Sequence, residues 1–169
     1  MEWRIASIGT LAHHPLWQED GEPRIAHATT TIIKSEGAVL LVDPSLPPEL
    51  MNARLLERWG MSLEEVTHVF LTSFDPDRRR TLIGLEHATW FMHEPEIQSA
   101  AAAIQDELYR AGSDPEVSNI LGEHLGLLSG FTSPEDRLFP CVDLFPLHGF
   151  TPGSCGLLLP TAKNTVLIT

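Results

Sequence analysis

The chain has 169 residues, 43% of them apolar and 20% charged, enough for one domain with a real core and too apolar for a disordered segment. Its formal charge of −12 repels a phosphate backbone, so nucleic-acid binding would need a strong local basic patch, and only Arg78, Arg79 and Arg80 approach one. No apolar run nears the ~20 residues that span a bilayer and no leader-like apolar segment opens the chain, so the expectation is a cytoplasmic protein with no nucleic-acid or membrane partner.

The first elements read as strands. "WRIASIG" (3–9) alternates loosely, "HATTTIIK" (27–34) is rich in β-branched residues, and "AVLLVD" (38–43) is a continuous apolar run. The intervening "SEG" gives Gly37 a positive φ and predicts an antiparallel hairpin. Pro47 and Pro48 open a helix with Met51, Leu55 and Trp59 at spacing four, stopped by Gly60. "SLEE" (62–65) is a capping-box pattern. It feeds "THVFLTS" (67–73), a buried strand, and "ATWFMH" (88–93) supplies the next.

Two helices follow. Ile97, Ala101, Ile104 and Leu108 form one stripe between Glu94 and Gly112. Val117, Ile120, Leu121, His124 and Leu128 form another from about Asp114, with Ser113 and Glu116 as a capping box. Residues 129–140 read as a polar loop, and "VDLFPL" (142–147), "CGLLLP" (155–160) and "NTVLIT" (164–169) as strands. The alternation of strands and helices means an α/β fold, treated as a single domain over residues 1–169. Cys141 and Cys155 are too few for a disulfide framework and are expected to be small buried residues.

The order of parts resembles the metallo-β-lactamase fold superfamily. Its hairpin ending in an acid matches "AVLLVDPS". Its metal motif HxHxDH falls on "TSFDPDR", and its "GHTPGS" loop on "GFTPGS". The resemblance runs from about residue 4 to 169 and implies an αβ/βα sandwich with an incomplete second half, short at its C-terminus relative to the family. The family chemistry implied is hydrolysis by zinc ions held on imidazoles and carboxylates, which lower the pKa of a bound water.

The ligand letters do not follow the loops. Along the first motif stand Ser73, Asp75, Asp77 and Arg78, of which Asp77 alone matches. Arg78 places a permanent cation where a second ion would sit. Phe150 replaces the histidine of the second loop. The resemblance therefore implies a degenerate, non-catalytic member with a binding or assembly role and no expected cofactor. The alternative is an atypical metal-dependent hydrolase in which Asp75, Asp77 and His148 hold zinc or another divalent ion, with His13, His14 or His27 contributing.

Each feature also has a plainer reading. Asp75-Pro76 is a good helix start, the arginines suit a solvated face or partners for surplus acids, and the Thr-Pro-Gly of 151–153 serves a turn. Ser154 and Cys155 lie in no nucleophile elbow, and there is no phosphate-binding glycine loop. A small anion on Arg78, Arg79 and Arg80 is a specific form of the binding role. The uncovered edge near 155–169 suggests a homodimer completing the sheet.

Overall fold

The computed structural model describes every residue except 15, 17–21, 23 and 113, so the Ser113 half of the expected second capping box lies outside the described residues. The chain forms two compact units, Met1–Leu71 with Asp75–Thr89, and Thr72–Phe74 with Trp90–Thr169.

In the first unit the strands β1 (Glu2–Ser7), β2 (Thr30–Ser35), β3 (Ala38–Val42) and β4 (His68–Leu71) lie side by side in that order. β2 and β3 are the expected hairpin, with Ile32 opposite Leu41 and Ile33 opposite Leu40. Consecutive positive φ values at Glu36 (48°) and Gly37 (86°) give the primed turn whose twist matches the strands. β3 and β4 run parallel, pairing Leu41 with Val69 and Val42 with Phe70. All four of these side chains are fully buried, which is why the two strands read as unbroken apolar runs.

The parallel step from β3 to β4 needs a crossover, and α1 (Pro48–Trp59) supplies it, with Met51 and Leu55 buried beneath it. Gly60 ends it in the left-handed conformation, its N–H returning to the carbonyl of Leu56. A 3₁₀ turn follows at Leu63–Glu65, where the Glu65 carboxylate accepts the Ser62 N–H at 2.7 Å, one arm of the expected box. Trp59 lies under two cations, Arg4 at 5.3 Å and Lys34 at 4.9 Å from its ring centre.

The second unit carries β5 (Thr89–Met92), which begins in the first, then α2 (Glu94–Ala111) and α3 (Pro115–Leu128). Of the expected α2 stripe Ile104 is buried, and Ile97, Ala101 and Leu108 are half-buried. On α3 only part of the expected face is covered: Leu121 and Leu128 are buried, whereas Val117 and Ile120 lie exposed. The N-cap of α3 is Asp114, whose carboxylate accepts from the N–H groups of Glu116 and Val117.

The stretch expected to be an irregular loop contains two short strands, β6 (Phe131–Thr132) and β7 (Arg137–Phe139). β6 pairs parallel with β5, and Phe131 is held by Trp90 and Phe74 at 5.4 and 6.1 Å between ring centres. β8 (Val142–Pro146), β9 (Cys155–Pro160) and β10 (Thr165–Ile168) join β7 in an antiparallel sheet of order β10-β9-β8-β7. Cys155 is buried as expected. Cys141 is instead exposed, at the β7–β8 turn, with φ 63°. No helix among the described residues is long and apolar enough to cross a membrane.

Candidate functional site

Two loops carry the sequence-predicted residues, and their parts fall in different units. In the first unit the segment after β4 is not a full helix but two 3₁₀ turns, Pro76–Arg78 and Arg80–Gly84. Asp75 is the N-cap and Pro76 the first helical residue, as the Asp-Pro pair predicts, although no capping bond comes from the Asp75 side chain.

The turn aims its arginines inward. Arg78 donates from Nη1 to Oδ2 of Asp43 at 2.7 Å, with 21% of the arginine side chain accessible and 1% of the aspartate. Asp43 ends the β3 hairpin, and its φ of 51° is a left-handed conformation uncommon outside glycine. It is held there by its N–H to the carbonyl of Phe70 at 3.0 Å and by the Thr30 hydroxyl donating to its carbonyl at 2.6 Å. The N–H of Ser45, fully buried, donates to the Thr30 hydroxyl oxygen at 3.2 Å, and the Ser45 hydroxyl donates to the carbonyl of Ala28 at 2.6 Å. The acid that the β3 end supplies is therefore fixed by a polar network and neutralised by a guanidinium.

Asp77 is treated the same way. Arg80 donates from Nη2 to Oδ1 of Asp77 at 2.8 Å and from Nη1 to the carbonyl of Ala26, while the Asp77 carbonyl accepts the Ala28 N–H at 3.1 Å. Arg79 is buried to 9% exposure. Burial pushes its guanidinium below the ordinary arginine value, and the charge of Asp75 opposes that. The three arginines are thus built into the fold rather than forming a solvated face, and Arg78 and Arg80 have acids as partners.

The second loop belongs to the second unit, as do Ser73 and Phe74. Ser73 is buried and Phe150 is 69% exposed. The turn that carries Phe150 is closed by Leu147 N–H to Ser154 carbonyl at 2.9 Å and Gly149 N–H to Thr151 carbonyl at 3.2 Å. Glu96 ties it down. This carboxylate, 2% exposed in the first turn of α2, accepts the Phe74 N–H at 2.9 Å and the Thr151 hydroxyl at 2.5 Å. Sequence reasoning missed Glu96, because an acid in the first turn of a helix is ordinarily there for the helix dipole.

His148 lies beside His93, another residue the sequence reading passed over, their ring centres 6.3 Å apart. Asp75 and Asp77 belong to the first unit and His148 to the second. Of the other histidines, His13 is exposed, His14 accepts the Leu16 N–H at 3.2 Å, and His27 pairs with Thr10 in a short bridge. Among the described residues no group of three or more His, Cys, Asp or Glu could hold a metal ion. The two zinc ions of the resembled family do not fit these residues: Asp43 and Asp77 already hold cationic partners, and Phe150 offers no donor atom.

Comparison with known proteins agrees with the loop frames. A family model described as the metallo-beta-lactamase superfamily matches residues 25–169. Among solved structures, the chain is similar to AidC, a dizinc quorum-quenching lactonase, with TM-score 0.65 and 16% identity over 84% of this chain and 55% of that one. It is similar to a protein from Thermotoga maritima named after the metallo-beta-lactamases, with TM-score 0.69 and 19% identity over 99% and 77% of the two chains. An N-acyl homoserine lactone hydrolase with product at its catalytic metal centre gives TM-score 0.59 and 15% identity over 98% and 72%. The chain thus spans about half of AidC, 55% of its length. None of the curated proteins matches it.

Proposed function

The chain belongs to the metallo-beta-lactamase superfamily, and we propose that within it this protein is a non-catalytic member that serves in binding or assembly. The observation that carries this reading is the Arg78–Asp43 pair. In a metal-dependent hydrolase the loop after the buried strand presents lone pairs to a cation that activates water. Here the last motif position presents a cation, and the nearest buried acid is spent on it at 2.7 Å. A divalent ion at that place would face a guanidinium that does not deprotonate in proteins.

The test is retained metal after exposure to Zn²⁺, Mn²⁺ and Fe²⁺, read by plasma mass spectrometry on wild type and Asp77→Ala, beside a screen of lactone, ester and phosphodiester hydrolysis. The expected result is no metal-dependent turnover and the same metal content in both proteins. Turnover that needs metal, with metal lost in Asp77→Ala, would overturn the reading in favour of a hydrolase built on Asp75, Asp77 and His148. The dizinc lactonase among the similar structures is what supports that second reading.

The binding role takes two forms. One is a small anion on Arg78, Arg79 and Arg80, which must compete with Asp43 and Asp77 for the guanidinium groups. A thermal shift with phosphate or sulfate that Arg78→Ala removes supports it, and no shift refutes it. The other is a homodimer in which β10, the end strand of its sheet, pairs with its copy. Sedimentation as a monomer refutes that form.

A further inference from the structure

The second unit holds a pair of imidazoles outside the degenerate motif. His93 follows β5 and is the N-cap of α2, and His148 follows β8. The Nδ1 of His93 lies 2.9 Å from the carbonyl oxygen of Gly153, and the Nδ1 of His148 lies 2.8 Å from that of Pro152. A carbonyl oxygen only accepts, so each Nδ1 carries the proton and each neutral ring keeps its lone pair on Nε2. Two successive carbonyls of one turn therefore set the same tautomer in both rings. An Nδ1–H held by a backbone carbonyl, with Nε2 left as the donor atom, is the usual support of a metal-binding histidine.

The spacing agrees. With a bond of about 2.0–2.1 Å and roughly 1.2 Å from nitrogen to ring centre, two imidazoles on one ion place their centres at most about 6.5 Å apart. The observed separation is 6.3 Å with ring planes 35° apart, within that limit, and an ion bound by both Nε2 atoms at this separation would be spanned at a wide N–ion–N angle. Such a trans pair belongs to square-planar or tetragonal ions, Cu²⁺ and Ni²⁺, more than to tetrahedral Zn²⁺.

His93 also borders an open pocket of about 520 Å³ shared with Asp136, Arg137 and Asp143. Arg137 donates to Asp143 at 2.7 Å, which leaves the Asp136 carboxylate to set the sign of the pocket. There is room for waters to complete a coordination sphere, and the net charge of −12 concentrates cations at the surface. We propose that His93 and His148 form a two-imidazole site for a borderline divalent transition ion of the Cu²⁺ and Ni²⁺ class. It is separate from the positions at which the family motif falls.

The test titrates the full chain with Cu²⁺ and Ni²⁺, with Mg²⁺ as a hard-ion control, using calorimetry for affinity and electron paramagnetic resonance for the nitrogen count on Cu²⁺. The variants His93→Asn and His148→Asn keep an amide donor for the turn carbonyl while removing Nε2, so folding and binding are separated. A double His13→Ala/His14→Ala variant reports on adventitious binding. The expected result is one ion per chain with two imidazole nitrogens, about tenfold or more weaker in either asparagine variant, unchanged in the double alanine variant, and no response to Mg²⁺. Binding that survives His148→Asn, follows His13 and His14, or shows a single nitrogen overturns the proposal. His148 is common to this pair and to the Asp75, Asp77 and His148 alternative, so the two are told apart by Asp77→Ala, which leaves binding at this pair unchanged, and by His93→Asn, which weakens it.

Discussion

Removing the Arg78 guanidinium is the sharpest perturbation of the fold. Asp43 has 1% of its side chain accessible, so Arg78→Ala takes the guanidinium away from a buried carboxylate. Breaking a buried pair from one side costs about 3–5 kcal/mol. Arg78 keeps 21% accessibility, which admits some solvent and places the expectation at the low end, about 3 kcal/mol. For a chain of this size that is a fall in Tm of about 6–12 °C. Urea unfolding of wild type, Arg78→Ala, Asp43→Asn and Arg78→Ala/Asp43→Asn forms the cycle. The double variant should lose less than the sum of the singles, since no lone charge is left buried. Arg54→Ala is the control. Its pair with Glu57 has accessibilities of 49% and 61%, and its loss should cost less than about 1 kcal/mol. An Arg78→Ala cost as small as that of Arg54→Ala, or strict additivity in the cycle, would refute the claim that this ion pair organises the loop.

Glycines at two places should respond with opposite signs. A Cβ at Gly153 would overlap the backbone of Pro95 and Glu96, so Gly153→Ala should destabilise by about 1–3 kcal/mol or more, whereas Gly122→Ala, in α3 with nothing within 4 Å, should stabilise by about 0.5–1 kcal/mol; urea midpoints measure both. The thiols should separate under a disulfide reagent at pH 8. Burial pushes Cys155 up to about 11, leaving about 0.1% thiolate at that pH. The fast phase should come from exposed Cys141 and vanish in Cys141→Ser, with Cys155 reacting only on unfolding. Burial also holds His68 below its ordinary value, so the unfolded chain takes up that proton first. Its contribution is fully present above about pH 6.5 and lost progressively as pH falls from there through the lower folded value. The drop in urea midpoint from pH 7.5 to 5.5 should be smaller in His68→Gln, and an equal drop would refute the assignment.

Elements set by local chemistry were legible in the sequence. The β2–β3 hairpin follows from Gly37 after two apolar runs, α1 from paired prolines, spacing-four apolar residues and Gly60, and β4 from its unbroken apolar letters. What failed depended on distant partners. β6 and β7 were read as loop because strands of two and three residues carry no period; β6 moreover pairs with β5, far back along the chain, whereas β7 pairs with the adjacent β8. The exposed half of α3 looked like core because amphipathic spacing does not say how wide the covered face is. Arg78, Arg79 and Arg80 looked like a surface run because the acid that receives Arg78 lies 35 residues earlier.

The same distinction explains how a loop frame persists where the ligand letters have changed. In the 147–154 turn the shape is set by the backbone bond from the Leu147 N–H to the Ser154 carbonyl, by the Ser154 hydroxyl donating to the Leu147 carbonyl, and by the absence of a side chain at Gly153. The Thr151 hydroxyl is anchored on Glu96. None of these bonds uses the side chain at 150, which stands 69% exposed. A histidine there can give way to phenylalanine without disturbing the turn, so "TPGS" reports the fold while position 150 reports the chemistry. In the first loop the replacement is compensated as well: an acid at the end of β3 needs a positive partner, and Arg78 meets that need with one side chain. The loop keeps its shape because its charge is balanced from within the chain.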